Sequence, residues 1–208
     1  LEPDQVKKII QNKGWKKVVG FHTRNPPHRA HEFLQKNSLE NSDGILIHPV
    51  VGSKKIGDFS NDAITRSYKL YIKNYLPAKN VIFTSLLTYS RYAGPREAIF
   101  TAIVRRNYGC SHFIVGRDHT GVKDFYGKYD SQKIFSKFKD ARIEILCFNE
   151  PYYCKKCDQI TTSKTCPHRK KYHLEISGTR IRKAILNKSK IPEIYIRKDV
   201  LKKLQNTR

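Results

Sequence analysis

Methionine is absent from all 208 residues, even from position 1, so a processed chain or an excised part of a longer one is expected. Acid is scarce as well. Lys plus Arg number 41 against 18 Asp plus Glu, a net charge of +23, which makes the surface attract polyanions and brings nucleic acid, nucleotides and small oxyanions into view as partners. Many of these lysines sit at scattered helical positions such as Lys7-Lys8, Lys16-Lys17 and Lys202-Lys203, where a solvated face accounts for them more simply. No apolar run reaches the ~18 residues needed to span a bilayer, so no membrane partner is expected. No signal peptide is visible at the N-terminus. Cysteine is sparse and uneven: of Cys110, Cys147, Cys154, Cys157 and Cys166, the last three fall close together, in a metal-ligand spacing that favours zinc over disulfides and a reducing, cytoplasmic compartment.

The chain does contain enough apolar residues, 38%, for one real core with a small appended module. Residues 3–13 read as an amphipathic helix closed by Gly14, and Trp15 to Phe21 as a first strand. Helix 31–40 and the apolar run 45–51 complete a β-α-β unit, followed by helix 61–74 and strand 81–87. Helix 95–107 ends in Arg105-Arg106, placed as the helix dipole favours, and strand 111–115 comes next. The expected fold is α/β: a Rossmann-like, doubly wound parallel sheet over 1–148, with a zinc-binding insertion and a C-terminal helical segment over 149–208. Cys110 and Cys147 read as buried strand residues, and His48 and His112 as core histidines.

Polar segments punctuate the strand ends. Phe21-His22-Thr23-Arg24-Asn25-Pro26-Pro27-His28-Arg29-Ala30-His31 follows the first strand and opens a helix. There, backbone N–H groups are free for an anion, and histidines three apart share one face. Arg91-Tyr92-Ala93-Gly94-Pro95-Arg96 and Gly116-Arg117-Asp118-His119-Thr120-Gly121 follow two further strands, so one rim would gather all three. The loop 52–60, with Lys54 and Lys55, has the wrong spacing for a Walker loop and reads as an anion-facing or ordinary connection. No Gly-x-Ser-x-Gly elbow is present. Guanidinium groups, imidazoles and helix starts at one rim suit a triphosphate and a charged phosphorus transition state.

Thr23-Arg24-Asn25-Pro26-x-His28-Arg29-Ala30-His31, Arg91-Tyr92-Ala93-Gly94-Pro95-Arg96-Glu97-Ala98, Asn107-Tyr108-Gly109-Cys110, Phe113 to His119 and Ile176-Ser177-Gly178-Thr179-x-x-Arg182 together resemble the ATP sulfurylase family, in family order and over almost the whole chain. The resemblance implies transfer of AMP from ATP to sulfate, giving adenosine 5′-phosphosulfate and pyrophosphate, with magnesium accompanying ATP. It implies catalytic roles for Thr23, Arg24, Asn25, His28 and His31. Arg24 would clamp sulfate through a two-pronged contact, helped by the backbone of Thr120. ATP would be held by His22, Gly116, Arg117, Asp118, His119, Ser177, Gly178 and Thr179. The family carries Gln, a sulfate ligand, where this chain has His22, Ala where it has Thr120 and Met where it has Ser90. These departures keep a nucleotidyltransferase of the same fold with a different anionic acceptor, another tetrahedral oxyanion or an organic acid anion, as an alternative. A basic zinc protein that binds nucleic acid is a second alternative, which leaves the three corners unexplained.

The cysteine region offers Cys154, Cys157 and Cys166 with His168 or His173 as an imidazole, a set that zinc binds tetrahedrally. The resemblance favours His173 as the fourth ligand, making a closed, structural zinc site within a loop-rich insertion. It also implies that family members carry a β-rich N-terminal domain before the point where this chain starts, and a homo-oligomer is a further expectation.

Overall fold

The computed structural model describes residues 1–53, 58–121, 125–187 and 189–205. Lys54, Lys55, Ile56 and Gly57, singled out above as part of a possible anion-facing loop, lie outside the described residues. Five short strands, β1 (Val18–Thr23), β2 (Gly44–Pro49), β3 (Val81–Phe83), β4 (His112–Val115) and β5 (Glu144–Cys147), pair in parallel in the order β3-β2-β1-β4-β5. Every residue of β2 is buried, as expected of a strand covered on both faces. The order reverses between β1 and β4, so the crevice for a ligand opens beyond the carboxyl ends of those two strands.

Alternation along β1 distributes side chains to two helical layers. Val19 and Phe21 join Ile45 and Ile47 under α2 (Arg29–Leu39) and α3 (Asn61–Tyr75), with Leu34, Ile64, Tyr68 and Tyr71 filling that face. Val18 and Leu46 face α1 (Pro3–Asn12) through Val6 and Ile10. On the same side Ala102 of α4 (Pro95–Asn107) packs on Phe113 and Val115. A fifth helix, α5 (Asp130–Lys137), precedes β5.

The C-terminal part divides. β6 (Tyr152–Cys154), β7 (Gln159–Thr161) and β8 (His173–Glu175) form a separate antiparallel sheet, where the sequence suggested a loop-rich insertion. By contrast α6 (Gly178–Leu186) and α7 (Lys198–Gln205) return to the main core, contributing Ile181, Ile185, Val200 and Leu204 beside Phe21 and Ile45. Buried Glu32 fixes that return: Arg197 reaches its two carboxylate oxygens at 3.1 and 2.7 Å, and Lys36 and Arg29 add contacts of 2.8 and 3.0 Å. Burial opposes the charge on Glu32, but these cations outweigh it and hold the carboxyl below its ordinary range.

One expectation needs correction. Cys147 is exposed rather than buried, because it ends β5, the edge strand of the sheet, whereas Cys110 is buried as expected. Arg105 lies in the last turn of α4 as expected, but its side chain turns inward. It is fully buried under β1 and donates from Nη2 to the carbonyl of His48 at 2.9 Å. Gly20 makes room for it, since a Cβ there would sit 2.7 Å from Arg105 Cγ and 2.9 Å from its Cβ. Because the obstruction includes the rigid base of the side chain, Gly20→Ala is expected to push α4 off the sheet and cost about 2 kcal/mol of stability. Denaturant unfolding of the variant measures it, and an unchanged midpoint would refute this account of the packing.

Candidate active site

The β1 corner is built by short-range bonds. Thr23 Oγ1 accepts the Asn25 N–H at 3.1 Å, turning the chain sharply after the strand. His28 then caps α2, its Nδ1 accepting the N–H of His31 at 3.4 Å, which leaves the ring proton on Nε2. The His28 and His31 rings stack at 3.7 Å, and His31 Nδ1 lies 3.2 Å from the Tyr68 hydroxyl. Two rings that close cannot both carry charge. Burial holds His28 down at about 3, and burial together with His28 keeps His31 well below the ordinary range.

The other strand ends meet this corner. Arg24 donates from Nη1 to the Tyr92 hydroxyl at 2.7 Å and lies 4.9 Å from the centre of that ring. Asn25 accepts from Arg182 Nη2 at 3.2 Å. Its amide also packs against Gly178 so closely that a Cβ there would come within 2.7 Å. Ser177 caps α6 by accepting the Arg180 N–H at 3.3 Å, so the helix start expected from Ser177-Gly178-Thr179 abuts the β1 corner. Across the crevice His22 and His119 approach to 4.9 Å. The Gly94 N–H reaches the carbonyl of Thr120 at 3.4 Å, joining the two remaining corners. The three expected bends therefore converge at one rim.

Within the β4 corner, His119 is anchored by Thr101 Oγ1 at 2.7 Å. Burial, reinforced by the positive charge of Arg105, brings His119 to about 3 and His48 to about 2. His22 is likewise held well below its usual value by burial and by Arg105, and among the described residues neither of its ring nitrogens has a hydrogen-bond partner. A Cβ built on Gly116 meets nothing within 4 Å, so packing does not demand this glycine and its backbone stays open to a ligand. Arg117 turns outward to Glu150 at 3.4 Å, on the wall of a cleft of about 620 Å³ that Lys128, Tyr129, His173 and Arg180 also line.

Asp118 and Thr179 belong to the same two corners. Sequence reasoning missed Tyr68 and Thr101, and had Asp58 only as part of the loop 52–60 without a role; all three lie far along the chain from the motifs they touch. It also missed Glu97, whose carboxylate accepts the N–H groups of Arg91 and Ala93 at 3.0 and 3.1 Å and folds the second corner. The spacing of an acid just inside a helix start was the available signal.

The cysteine cluster lies apart from this rim, on the small sheet. Donor atoms of Cys154, Cys157, Cys166 and His168 all fall within 4.8 Å of one another. The imidazole grouped with the three thiols is thus that of His168, where the resemblance favoured His173. His168 Nδ1 is 3.1 Å from Cys157 Sγ and 3.5 Å from Cys154 Sγ. His173 is 3.8 Å from Cys166 alone, with its Nε2 at 2.9 Å from the His168 carbonyl and its ring stacked on Tyr152. Burial works against ionising Cys154, but the N–H groups of Cys157 and Lys156 outweigh it and bring that thiol to about 6. Burial and the neighbouring thiols push Cys157 up to about 12.

The ATP-sulfurylase family model matches residues 1–207. The sulfate adenylyltransferase of Carboxydothermus hydrogenoformans is 45% identical over 207 residues, covering 99% of this chain and 54% of that protein. That of Halothermothrix orenii is 47% identical over 202 residues, covering 96% and 53%. The chain spans about half the length of the curated relatives it matches. Among solved structures, the hexameric APS kinase from Thiobacillus denitrificans aligns with a TM-score of 0.78 at 25% identity, over 99% of this chain and 39% of that one. A bifunctional NMN adenylyltransferase/ADP ribose pyrophosphatase from Francisella tularensis aligns at 0.53 with 15% identity, over 88% and 45%, a likeness of fold alone.

The histidines set a pH dependence. His22, His28, His31, His48 and His119 all ionise less readily folded than unfolded, so their contribution to stability is complete above the unfolded value of 6.5. It is lost as pH falls from there toward the folded values, at up to about 1.4 kcal/mol per pH unit for each ring. Unfolding free energy is expected to drop by several kcal/mol between pH 6.5 and 5. Denaturant titrations at these pH values test this, and a flat profile would count against neutral histidines in the folded site.

Proposed function

The chain belongs to the ATP-sulfurylase family, and from that premise we propose that it transfers AMP from ATP to sulfate, giving adenosine 5′-phosphosulfate and pyrophosphate. The observation that carries this reading is the convergence of Arg24, Asn25 and Arg182 beside a stacked, uncharged His28–His31 pair at the switch point of the sheet. Sulfate is fully ionised at neutral pH, so its attack on the α-phosphorus needs no general base. One S–O–P bond forms, the bond from the α-phosphorus to its bridging oxygen breaks, and the electron pair leaves with pyrophosphate. The obstacle is bringing two polyanions into line. Arg24 would clamp the acceptor. His28 Nε2–H and His31 would donate to the phosphates as neutral rings. The Gly116–Thr120 corner and the start of α6 would hold the nucleotide, which extends toward the cleft bounded by Arg117 and His173.

The rim offers guanidinium, imidazole and N–H groups, and among its described residues the acid that bridges arginines, Asp58, is already engaged. Magnesium would therefore arrive as part of the ATP complex, without an assigned protein ligand. Zinc fits the Cys154-Cys157-Cys166-His168 set, where it would neutralise the thiolates and pin the small sheet. Free thiols in that arrangement support a reducing, cytoplasmic setting. Among the described residues no helix is long and apolar enough to cross a membrane. The hexameric state named for the APS kinase neighbour supports testing this protein as a homo-oligomer.

Pyrophosphate release from ATP with sulfate tests the activity. Arg24→Ala is expected to lower turnover by about 10³-fold with an unchanged melting temperature, and retained turnover would remove the assigned role. His22 and Thr120 favour one competing outcome, in which sulfate is inert and another tetrahedral oxyanion is adenylylated. The purified chain is expected to hold one zinc. Cys157→Ser and His168→Ala should lose it, while His173→Ala keeps it. Metal analysis of the three variants decides, and loss in His173→Ala alone would restore that residue as the fourth ligand.

A further inference from the structure

A carboxylate lies where the proposed function calls for anions to bind. Asp58 stands just ahead of α3, and its side chain is 8% exposed. Its Oδ1 is 2.7 Å from Arg182 Nη1, and its Oδ2 is 3.9 Å from Arg24 Nη1. An acid beside an oxyanion site opposes its ligand by Coulomb repulsion, so a compensating role is required. The geometry supplies one. The two guanidinium groups repel each other, and each has freedom to turn into solvent, with side chains 27% and 20% exposed. A shared carboxylate holds them together.

The way Arg24 is gripped is specific. The nitrogen nearest Asp58, Nη1, is also the one that donates to the Tyr92 hydroxyl at 2.7 Å, while the guanidinium lies against the Tyr92 ring at 4.9 Å. Tyr92 reaches it from a left-handed backbone conformation, φ 56°, which is strained for a non-glycine residue and persists only where the surroundings enforce it. Both partners act on Nη1. Among the described residues no hydrogen bond takes Nε or Nη2 of Arg24, the parallel pair of donors that meets two oxygens of one tetrahedral anion.

We propose that Asp58 and Tyr92 are positioning residues that fix Arg24 through Nη1 and so present its Nε–Nη2 edge to the acceptor, with Asp58 tying Arg24 to Arg182. This rests on the proposed adenylyl transfer to an oxyanion. Asp58 acts through the two arginines, and Arg182 in turn holds Asn25, so loosening it disturbs the acceptor side of the rim first.

Steady-state kinetics of the full chain, varying sulfate and ATP separately, tests the proposal, with sulfate binding measured in parallel by calorimetry. Asp58→Asn is expected to raise the KM for sulfate at least tenfold and weaken calorimetric sulfate binding equally. The KM for ATP should stay within about threefold and the melting temperature within a few degrees. Asp58→Glu should recover part of the loss. Tyr92→Phe, which keeps the ring and removes the hydroxyl, should show the same split at about fivefold and serves if Asp58→Asn does not fold. A sulfate KM unchanged or lower in Asp58→Asn, with an active wild type, overturns the positioning role and makes the carboxylate an obstruction. Equal effects on sulfate and ATP overturn it as well, by marking a general structural contact. A wild type that neither turns over nor binds sulfate removes the proposed activity and this inference together.

Discussion

Positive and protonatable groups gathered at one edge of a sheet repel one another, and the arrangement persists only because their charges are rationed. Five imidazoles that could each add a proton are buried deeply enough to stay neutral. Arg105, a fully buried cation behind them, is itself lowered to about 9 by burial and gives a hydrogen bond to a backbone oxygen. Its field adds to burial in discouraging protonation of His22, His48 and His119. The net result is a rim rich in N–H donors but modest in fixed charge, which can bind a polyanion without first collapsing on its own counterions.

Much of this was legible before any coordinates. Alternating apolar runs and helix starts indicated the parallel sheet, and polar segments at successive strand ends predicted the shared rim, because parallel topology sends all those ends to one side. The inward path of Arg105 was not legible, for a physical reason. A basic residue in a last helical turn normally faces water, and only the gap left by Gly20 across the sheet reveals an inward path. The contacts of Asp58 and Tyr68 were invisible for a different reason: their partners are 34 and more residues away, and no local spacing records such a contact. For the fourth cysteine-cluster donor, the resemblance pointed to His173, whereas the turn after Cys166 brings His168 inward instead.

The small antiparallel sheet is connected to the rim through the chain itself. β8 begins at His173 and ends at Glu175, two residues before the Ser177 cap of α6, whose first glycine packs on Asn25. His173 at the start of that strand lines the same cleft as Arg117 and Arg180. Fixing the thiol cluster fixes β6 and, through its pairing with β8, the approach to α6. A cation bound at the cluster would therefore act on the rim by geometry, with no ligand contact of its own.

Backbone strain tells the same story from another side. Tyr92 and Thr120 adopt left-handed conformations that L-residues avoid, and Gly94 shares that region where a side chain would collide with Tyr126. All three belong to the second and third corners, and the bond from Gly94 to Thr120 joins them. Strain of this kind is retained when neighbouring contacts over-determine it. Here the contacts are the Glu97 carboxylate bonded to two N–H groups of the corner, the hydroxyl of Tyr92 on Arg24, and the His119 ring on Thr101. Each fastens a bend to a rigid helix or to the opposite bend. The corners are thus set by the fold itself, so that on the proposed transfer a polyanion bound there would have little reorganisation to drive and its interaction energy would be left for the reaction.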